Sequence, residues 1–450
     1  MRLLSRLTAF VTACLVAVGP ASAQSILRDA ETEALLRDMA APLVAASGLD
    51  PHNVDMVLIN DSSVNAFVAG GQAVYINSGL INTADSANEV QGVIAHELGH
   101  ITGGHAVSNP GGKAASNISI LSLLLGAAAA AAGGGEAAMG VLMAGQQAAM
   151  GKFLAYNRSQ ESSADAAGAQ YLSKAGITGE GSIAFFKKLQ NMEYRAGYYP
   201  RAGDEFFGTH PMTMDRITTL QDVYEQDPSW KKPSDPAIET RFARAKAKLF
   251  GYLAEPKDTF RVYPESNTSI PARYARAYAY HKDSHLDLAM KEADALLLQS
   301  PGDPYFLELK GQILLEAGRP REALEPLRRA TEMTGNQPLI ATLFGHALIA
   351  TEDGQNFTEA ERVLKAAVAR DRENPFAWYQ LGLVYNAKGD IPRARLASAE
   401  QQAMNGQMPQ ALASAEAAEA ALPTGTPDWL RAQDIAFQAR AAMERQRKRK

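Results

Sequence analysis

Glu89-Val90-Gln91-Gly92-Val93-Ile94-Ala95-His96-Glu97-Leu98-Gly99-His100 is the stretch on which the reading of this 450-residue chain turns. Val90, Val93, Ile94 and Leu98 recur at mostly helical spacings, as a buried stripe does. Ser86 and Glu89 predict a capping box at the helix start, and Thr102-Gly103-Gly104 weakens or ends the helix. His96 and His100 then lie one turn apart on one face. Two such imidazoles can reach one zinc ion, while Glu97 points to the adjoining face, placed to take a proton from a metal-activated water. Two histidines leave the metal short of a protein ligand. Glu161 and Asp165, one turn apart on a later predicted helix, are the candidates. Glu161 would complete the ligand set, and Asp165 would accept the outer N–H of a ligand histidine. His105 reads as solvent-exposed or locally hydrogen-bonded. Gly103 fits a His-x-x-Gly-x-x-His pattern, but the position that needs the last histidine is Ala106, which argues against a metzincin arrangement.

Outward from that helix, residues 26–46 have helical periodicity, with Leu27, Leu35, Leu36 and Met39 on one side. Residues 54–59 and Ala73-Val74-Tyr75-Ile76 read as strands, with Gly70-Gly71 as a turn. Residues 112–150 are apolar and alanine-rich, and no acidic or basic residue falls between Lys113 and Glu136. Alanine, serine and glycine dilute this segment below what a spanning helix needs. A buried helical hairpin or an amphipathic flap is expected there. Helical character returns over 156–174 and 180–196, and the catalytic unit, 24–226, closes after Thr209-His210-Pro211. Residues 227–235 form a linker.

From 236 the texture becomes alanine-rich and amphipathic. Pro271, Pro304, Pro338, Pro375 and Pro409 recur at intervals of 33, 34, 37 and 34 residues, close to the period of a tetratricopeptide repeat. The clearest unit carries Trp378, Leu381-Gly382, Tyr385, Gly389 and Ala394, with polar Ser398 where an aromatic is usual. The longer interval fits an extended turn at Asp353-Gly354, and 271–301 and 409–442 are degenerate units. The fold class expected is therefore α+β and zincin-like: a mainly helical metallopeptidase domain with a small sheet. An all-α tetratricopeptide repeat solenoid over 236–444 and a basic tail at 445–450 follow it.

Residues 1–23 combine Arg2 and Arg6, an apolar run and Ala21-Ser22-Ala23, the pattern of a removable secretory signal. Cys14, inside that segment, is the only cysteine, so the mature chain has no thiol chemistry and carboxylates and imidazoles must hold any metal. Without the signal the formal charge is −7, from 42 basic and 49 acidic residues, and nothing suggests a nucleic-acid partner.

A set of ordered motifs resembles the M48 zinc peptidase family. They are Asn65-Ala66-Phe67 with Gly70 to Leu80, then His96 to His100, Glu161-Ser162-Ser163-Ala164-Asp165, Thr209-His210-Pro211 and Asp215-Arg216-Ile217. The repeats and the secretion signal narrow the resemblance to BepA-like periplasmic members. It implies one zinc per chain, held by His96, His100 and Glu161, with Glu97 as the catalytic base and Asp165 supporting a ligand histidine. His210 is implied either as a fourth ligand that latches the site or as a stabiliser of the oxyanion. Arg216 is implied as a brace with no assigned partner. The strand Ala73, Val74, Tyr75, Ile76 and Asn77 is implied as the active-site edge that pairs with an extended substrate. The family comparison further implies a periplasmic endopeptidase, soluble or peripherally attached through 112–150. It would act on unfolded or misassembled outer-membrane proteins, with the repeat domain facing the assembly machinery. The alternative from the same residues is a repeat-based chaperone or adaptor whose zinc site is latched.

Overall fold

A computed structural model of the chain describes residues 25–105, 118, 121–122, 135–196, 210 and 214–449. The expected signal, most of the apolar stretch before residue 135, the Gly/Pro segment after 196 and the neighbours of His210 lie outside the described residues. The chain divides into two compact units. One holds residues 25–28 and Leu35–Phe242, and the other holds Asp29–Ala34 with the chain from Ala243 onward. The division falls inside a helix, Pro236–Leu253, beyond the segment 227–235.

The first unit is α+β. Its sheet contains β1 (Ser25–Ile26), β2 (Asp55–Asn60), β3 (Ala66–Ala69) and β4 (Ala73–Asn77) in the order β1-β2-β4-β3. Strands β2 and β4 pair in parallel, and β3 pairs antiparallel to β4. Gly70 and Gly71, with φ of 65° and 112°, turn the chain between β3 and β4 where a side chain would be strained. Strand β4 is thus interior, with a neighbour on each side. That corrects the expectation that Ala73, Val74, Tyr75, Ile76 and Asn77 form the open edge. The backbone groups of a strand flanked on both sides are already spent on its neighbours. Among the described residues β3 pairs only with β4, so β3 is the edge strand on this side.

Helix α1 (Ala30–Ser47) supplies Leu35, Leu36, Met39 and Leu43 to the core of this unit. Helix α2 (Ser78–Thr83) leads from β4 to α3 (Ala87–Thr102), which carries the histidine pair. The rest of the unit is built on α4 (Gly135–Ala175), α5 (Glu180–Ala196) and α6 (Met214–Glu225). Helix α4 is continuous through 139–150 and 156–174, where the sequence suggested separate helical pieces. Helix α3 packs against α4, α5, β3 and β4, and every residue from Ala87 to His100 is buried, not one stripe alone. Asn88, near its start, is satisfied by tertiary partners. The Asn88 side chain donates to Thr178 O at 3.0 Å and accepts from Gly181 N at 2.8 Å. The capping box forms by half: Glu89 N donates to Ser86 Oγ, but the Glu89 carboxylate accepts from Asp85 N, one residue earlier than expected. Glu239 accepts from Ala87 N and Asn88 N, so a second carboxylate serves the positive end of this helix.

The second unit is all helical and pairs its helices as tetratricopeptide repeats do. After Pro256–Val262 come Ile270–Lys282 with Leu286–Gln299, Pro304–Glu316 with Pro320–Met333, and Pro338–Ala350 with Phe357–Arg370. Pro375–Ala387 with Ile391–Met404 and Met408–Ala421 with Pro427–Arg449 complete the series. The recurring prolines sit in the first turn of each leading helix, where the missing N–H costs nothing. Added Cβ atoms at Gly311 and Gly345 would meet Leu327 and Leu364 of the partner helices at 2.4 and 2.6 Å, so glycine sets the closeness of each pair. The three extra residues of the third pair form a 3-10 turn, Gly354–Asn356. One hydrophobic core runs from Leu314 to Ala397 through consecutive pairs, as a stack with no isolated unit requires.

Candidate metal centre

Close approach of two helices creates the site. A Cβ on Gly99 would stand 2.5 Å from Ala164 O, and one on Gly168 would stand 3.1 Å from the Ala95 backbone. The glycines let α3 and α4 pack nearly backbone to backbone, which brings Glu161 and Asp165 beside the histidine pair. His210, from the segment before α6, reaches the same point.

His96, His100, Glu161 and His210 present one ligand atom each, all within 4.8 Å of one another. His96 Nε2 lies 3.1 Å from His100 Nε2, 3.3 Å from His210 Nδ1 and 3.4 Å from Glu161 Oε2. Glu161 Oε1 lies 3.3 Å from His100 Nε2, and Glu161 Oε2 lies 3.1 Å from His210 Nδ1. Donors about 2.0–2.2 Å from a tetrahedral zinc are separated by roughly 3.3–3.5 Å, so the separations suit such an ion. Three imidazole nitrogens and a carboxylate are also the ligand chemistry that zinc prefers. Glu97 stands beside this set, 1% exposed; its Oε1 is 3.7 Å from His210 Nε2 and accepts no hydrogen bond among the described residues. A buried carboxylate oxygen left in this state fits a proton acceptor for a molecule bound in the cleft.

Asp165 Oδ1 stands 2.9 Å from His96 Nδ1. Arg216, from α6, holds Asp165 through a two-pronged contact, Nε to Oδ2 at 2.7 Å and Nη2 to Oδ1 at 2.8 Å. Its Nη1 is 3.0 Å from Glu161 Oε2. The arginine partner that the sequence left open is therefore a pair of carboxylates one turn apart on α4, one at each ring nitrogen of His96.

Charge follows from burial and pairing. Burial alone would lower the His96 pKa, but hydrogen bonds and charge from Asp165 and Glu161 overturn it and push it up to about 10. Burial would raise Asp165, yet His96 and Arg216 hold it below the usual carboxylate range. Glu161 is likewise held low, against its own desolvation, by His100, His210 and His96. His100 is lowered, chiefly by burial. The cluster thus keeps its carboxylates ionised, as cation ligands must be.

The sequence reading brings His96, Glu97, His100, Glu161, Asp165, His210 and Arg216 into one cluster. Tyr75 does not join it: its ring stacks on Phe67 with centroids 5.1 Å apart, across the β3–β4 pair. His105, read as solvent-exposed or locally hydrogen-bonded, makes such a local contact, with Nδ1 2.9 Å from His100 Nδ1.

A buried His/His/Glu set carried on two packed helices, with a free carboxylate one residue after the first histidine, defines a metallopeptidase domain. Residues 27–224, most of this unit, match peptidase family M48, and together with the site they make the unit a metalloendopeptidase. The chain is 24% identical over 405 residues to the beta-barrel assembly-enhancing protease of Yersinia pestis, covering 87% of this chain and 80% of that protein. The protein of the same name from Escherichia coli (strain K12) is 25% identical over 379 residues, covering 82% and 75%. The mitochondrial metalloendopeptidase OMA1 of Saccharomyces cerevisiae is 29% identical over 196 residues, covering 41% and 53%.

Proposed function

We propose that this chain is a periplasmic zinc endopeptidase that cleaves misassembled outer-membrane proteins, with its repeat unit binding clients or the assembly machinery. The convergence of His96, His100, Glu161 and His210 around one point, with Glu97 Oε1 beside it accepting no hydrogen bond among the described residues, carries the reading. The signal pattern in residues 1–23 supports export, and relatives named for beta-barrel assembly support the client class. When bound, zinc would supply Lewis acidity that activates water and polarises a peptide carbonyl. Glu97 takes the proton from the attacking water and returns it to the leaving amine. Asp165 keeps the Nδ1 hydrogen on His96, so that Nε2 faces the ligand centre. Strand β3, with its outer edge open among the described residues, offers main-chain groups to an extended substrate.

The test is direct. Purified protein should hold about one zinc per chain and cleave a denatured outer-membrane barrel protein in a chelator-sensitive way. Client binding without any cleavage would favour the adaptor reading instead, and failure to hold zinc would sink the metal assignment.

His210 Nδ1 at ligand distance favours a latched resting state. Replacing His210 with Ala should then raise proteolysis at unchanged zinc content. A large loss of rate with zinc retained would instead assign His210 to the transition state.

Met139, Met143, Met150 and Leu154 are exposed and recur along one side of α4. No helix among the described residues is long and apolar enough to cross a membrane. Peripheral attachment through this side of α4 predicts that the protein floats with anionic liposomes, and that Met139→Gln/Met143→Gln loses the association. Flotation equal to that of a soluble control would dismiss the contact.

A further inference from the structure

The two helical histidines are supported differently. His96 leans on a carboxylate, Asp165, at 2.9 Å. Among the described residues His100 has no carboxylate on its outer nitrogen; its Nδ1 meets Nδ1 of His105 at 2.9 Å. On the far side of the His105 ring, Nε2 lies 3.3 Å from Ser163 Oγ, and that hydroxyl donates to Gln160 O at 2.9 Å. We propose that His105 and Ser163 are positioning residues that hold His100 in the tautomer offering Nε2 to the metal.

The inference rests on the metal-centre reading above, and a count of hydrogens carries it. Between two facing Nδ1 atoms only one hydrogen fits. If His100 is to offer a lone pair at Nε2, its neutral ring must carry the hydrogen on Nδ1. His105 Nδ1 must then accept, so the neutral His105 ring carries its hydrogen on Nε2. Ser163 Oγ must accept that one, and its own hydrogen must go elsewhere. Gln160 O stands where it is needed. Every donor in the series has one acceptor, and the series ends on a backbone carbonyl that cannot reverse it. Ser163 lies two residues from Glu161 on the same helix, so the helix that supplies the third ligand also orients the second.

The local sequence explains why His105 reaches this place. Gly104 has a φ of 66°, and His105 N donates to His100 O at 3.0 Å while Gly104 N donates to Ile101 O at 3.0 Å. This is the left-handed helix ending that returns the chain over its last turn. The His105 backbone is thereby tied to the His100 backbone, and the two rings meet edge to face with centroids 4.9 Å apart. A Cβ on Gly103 would stand 2.5 Å from His105 Nε2, so glycine is needed there for the ring to fold back. Thr102-Gly103-Gly104-His105 is a device that ends the helix and delivers a ring to its last ligand.

The relay predicts that His105→Phe, which keeps an aromatic ring and removes the acceptor, weakens zinc binding by about 10–100-fold. The measurement is competition with a chromophoric chelator, which needs no turnover. His105→Asn places a carboxamide oxygen near the old Nδ1 position and should recover most of the loss; a role in shape alone would give the reverse order. Gly103→Ala should behave like His105→Phe. In the metal-free wild type, long-range ¹⁵N–¹H spectra of histidine-labelled protein should show His100 protonated at Nδ1, which decides the matter even if a variant fails to fold. Wild-type affinity in His105→Phe, or His100 protonated at Nε2, would overturn the relay. A wild type that binds no zinc but shows the Nδ1 tautomer would sink the metal reading and leave the relay standing.

Discussion

Glu97→Gln is expected to lower the rate of peptide hydrolysis by about 10²–10⁴-fold without changing zinc content. Glutamine has nearly the same volume and still fits a site that is 1% exposed, so packing around α3 is kept. It cannot take up a proton, and that is the one property the site asks of this residue. Glu97 is not among the four converging ligand residues, and Oε1 accepts no hydrogen bond among the described residues. Metal binding should therefore pass through the substitution intact. Initial rates on a denatured outer-membrane protein, with zinc measured on the same preparation, separate the two quantities. A rate close to wild type would remove Glu97 from the mechanism; loss of zinc together with rate would make it a ligand.

Legibility in the sequence followed from how local each feature is. His96, Glu97 and His100 are set by one helical turn, so periodicity alone placed them. The repeat unit was readable because each proline and each glycine answers to a first turn or to a facing leucine within its own pair. The edge strand was harder. Ala66-Phe67-Val68-Ala69 is four residues long, and pairing order, which periodicity does not encode, decides that β3 and not β4 is at the edge. What His105 bonds to was not legible for a related reason, although a local hydrogen bond was expected. Its role depends on a left-handed turn at Gly104 and on Ser163, 58 residues away, neither of which spacing reveals. The glycine pair before His105 was the available signal: two glycines that end a helix also fold back whatever follows them.

Arg216 supports the largest expected change in stability. It is buried and counterbalances Asp165 and Glu161 at once, through contacts of 2.7, 2.8 and 3.0 Å. Arg216→Met fills similar space but leaves two buried carboxylates facing each other across His96. Breaking a buried pair from one side costs about 3–5 kcal/mol, because the remaining charge stays desolvated. In the metal-free protein, amide exchange across Ala87–Thr102 should accelerate by the corresponding factor. Arg216→Lys should fall between, since it keeps the charge but loses the planar fork. Zinc should narrow the gap, because a divalent ion supplies positive charge to the same carboxylates and stabilises only the folded form. Acid weakens the same contacts. Asp165 and Glu161 are held below their ordinary values of 3.8 and 4.5, so their contribution is complete above those values and fades as pH falls below them. The wild-type advantage over Arg216→Met should therefore be full near neutrality and shrink on acidification. An advantage that is unchanged by both zinc and acid would mean that Arg216 acts by packing, and that the two carboxylates are balanced by the histidines alone.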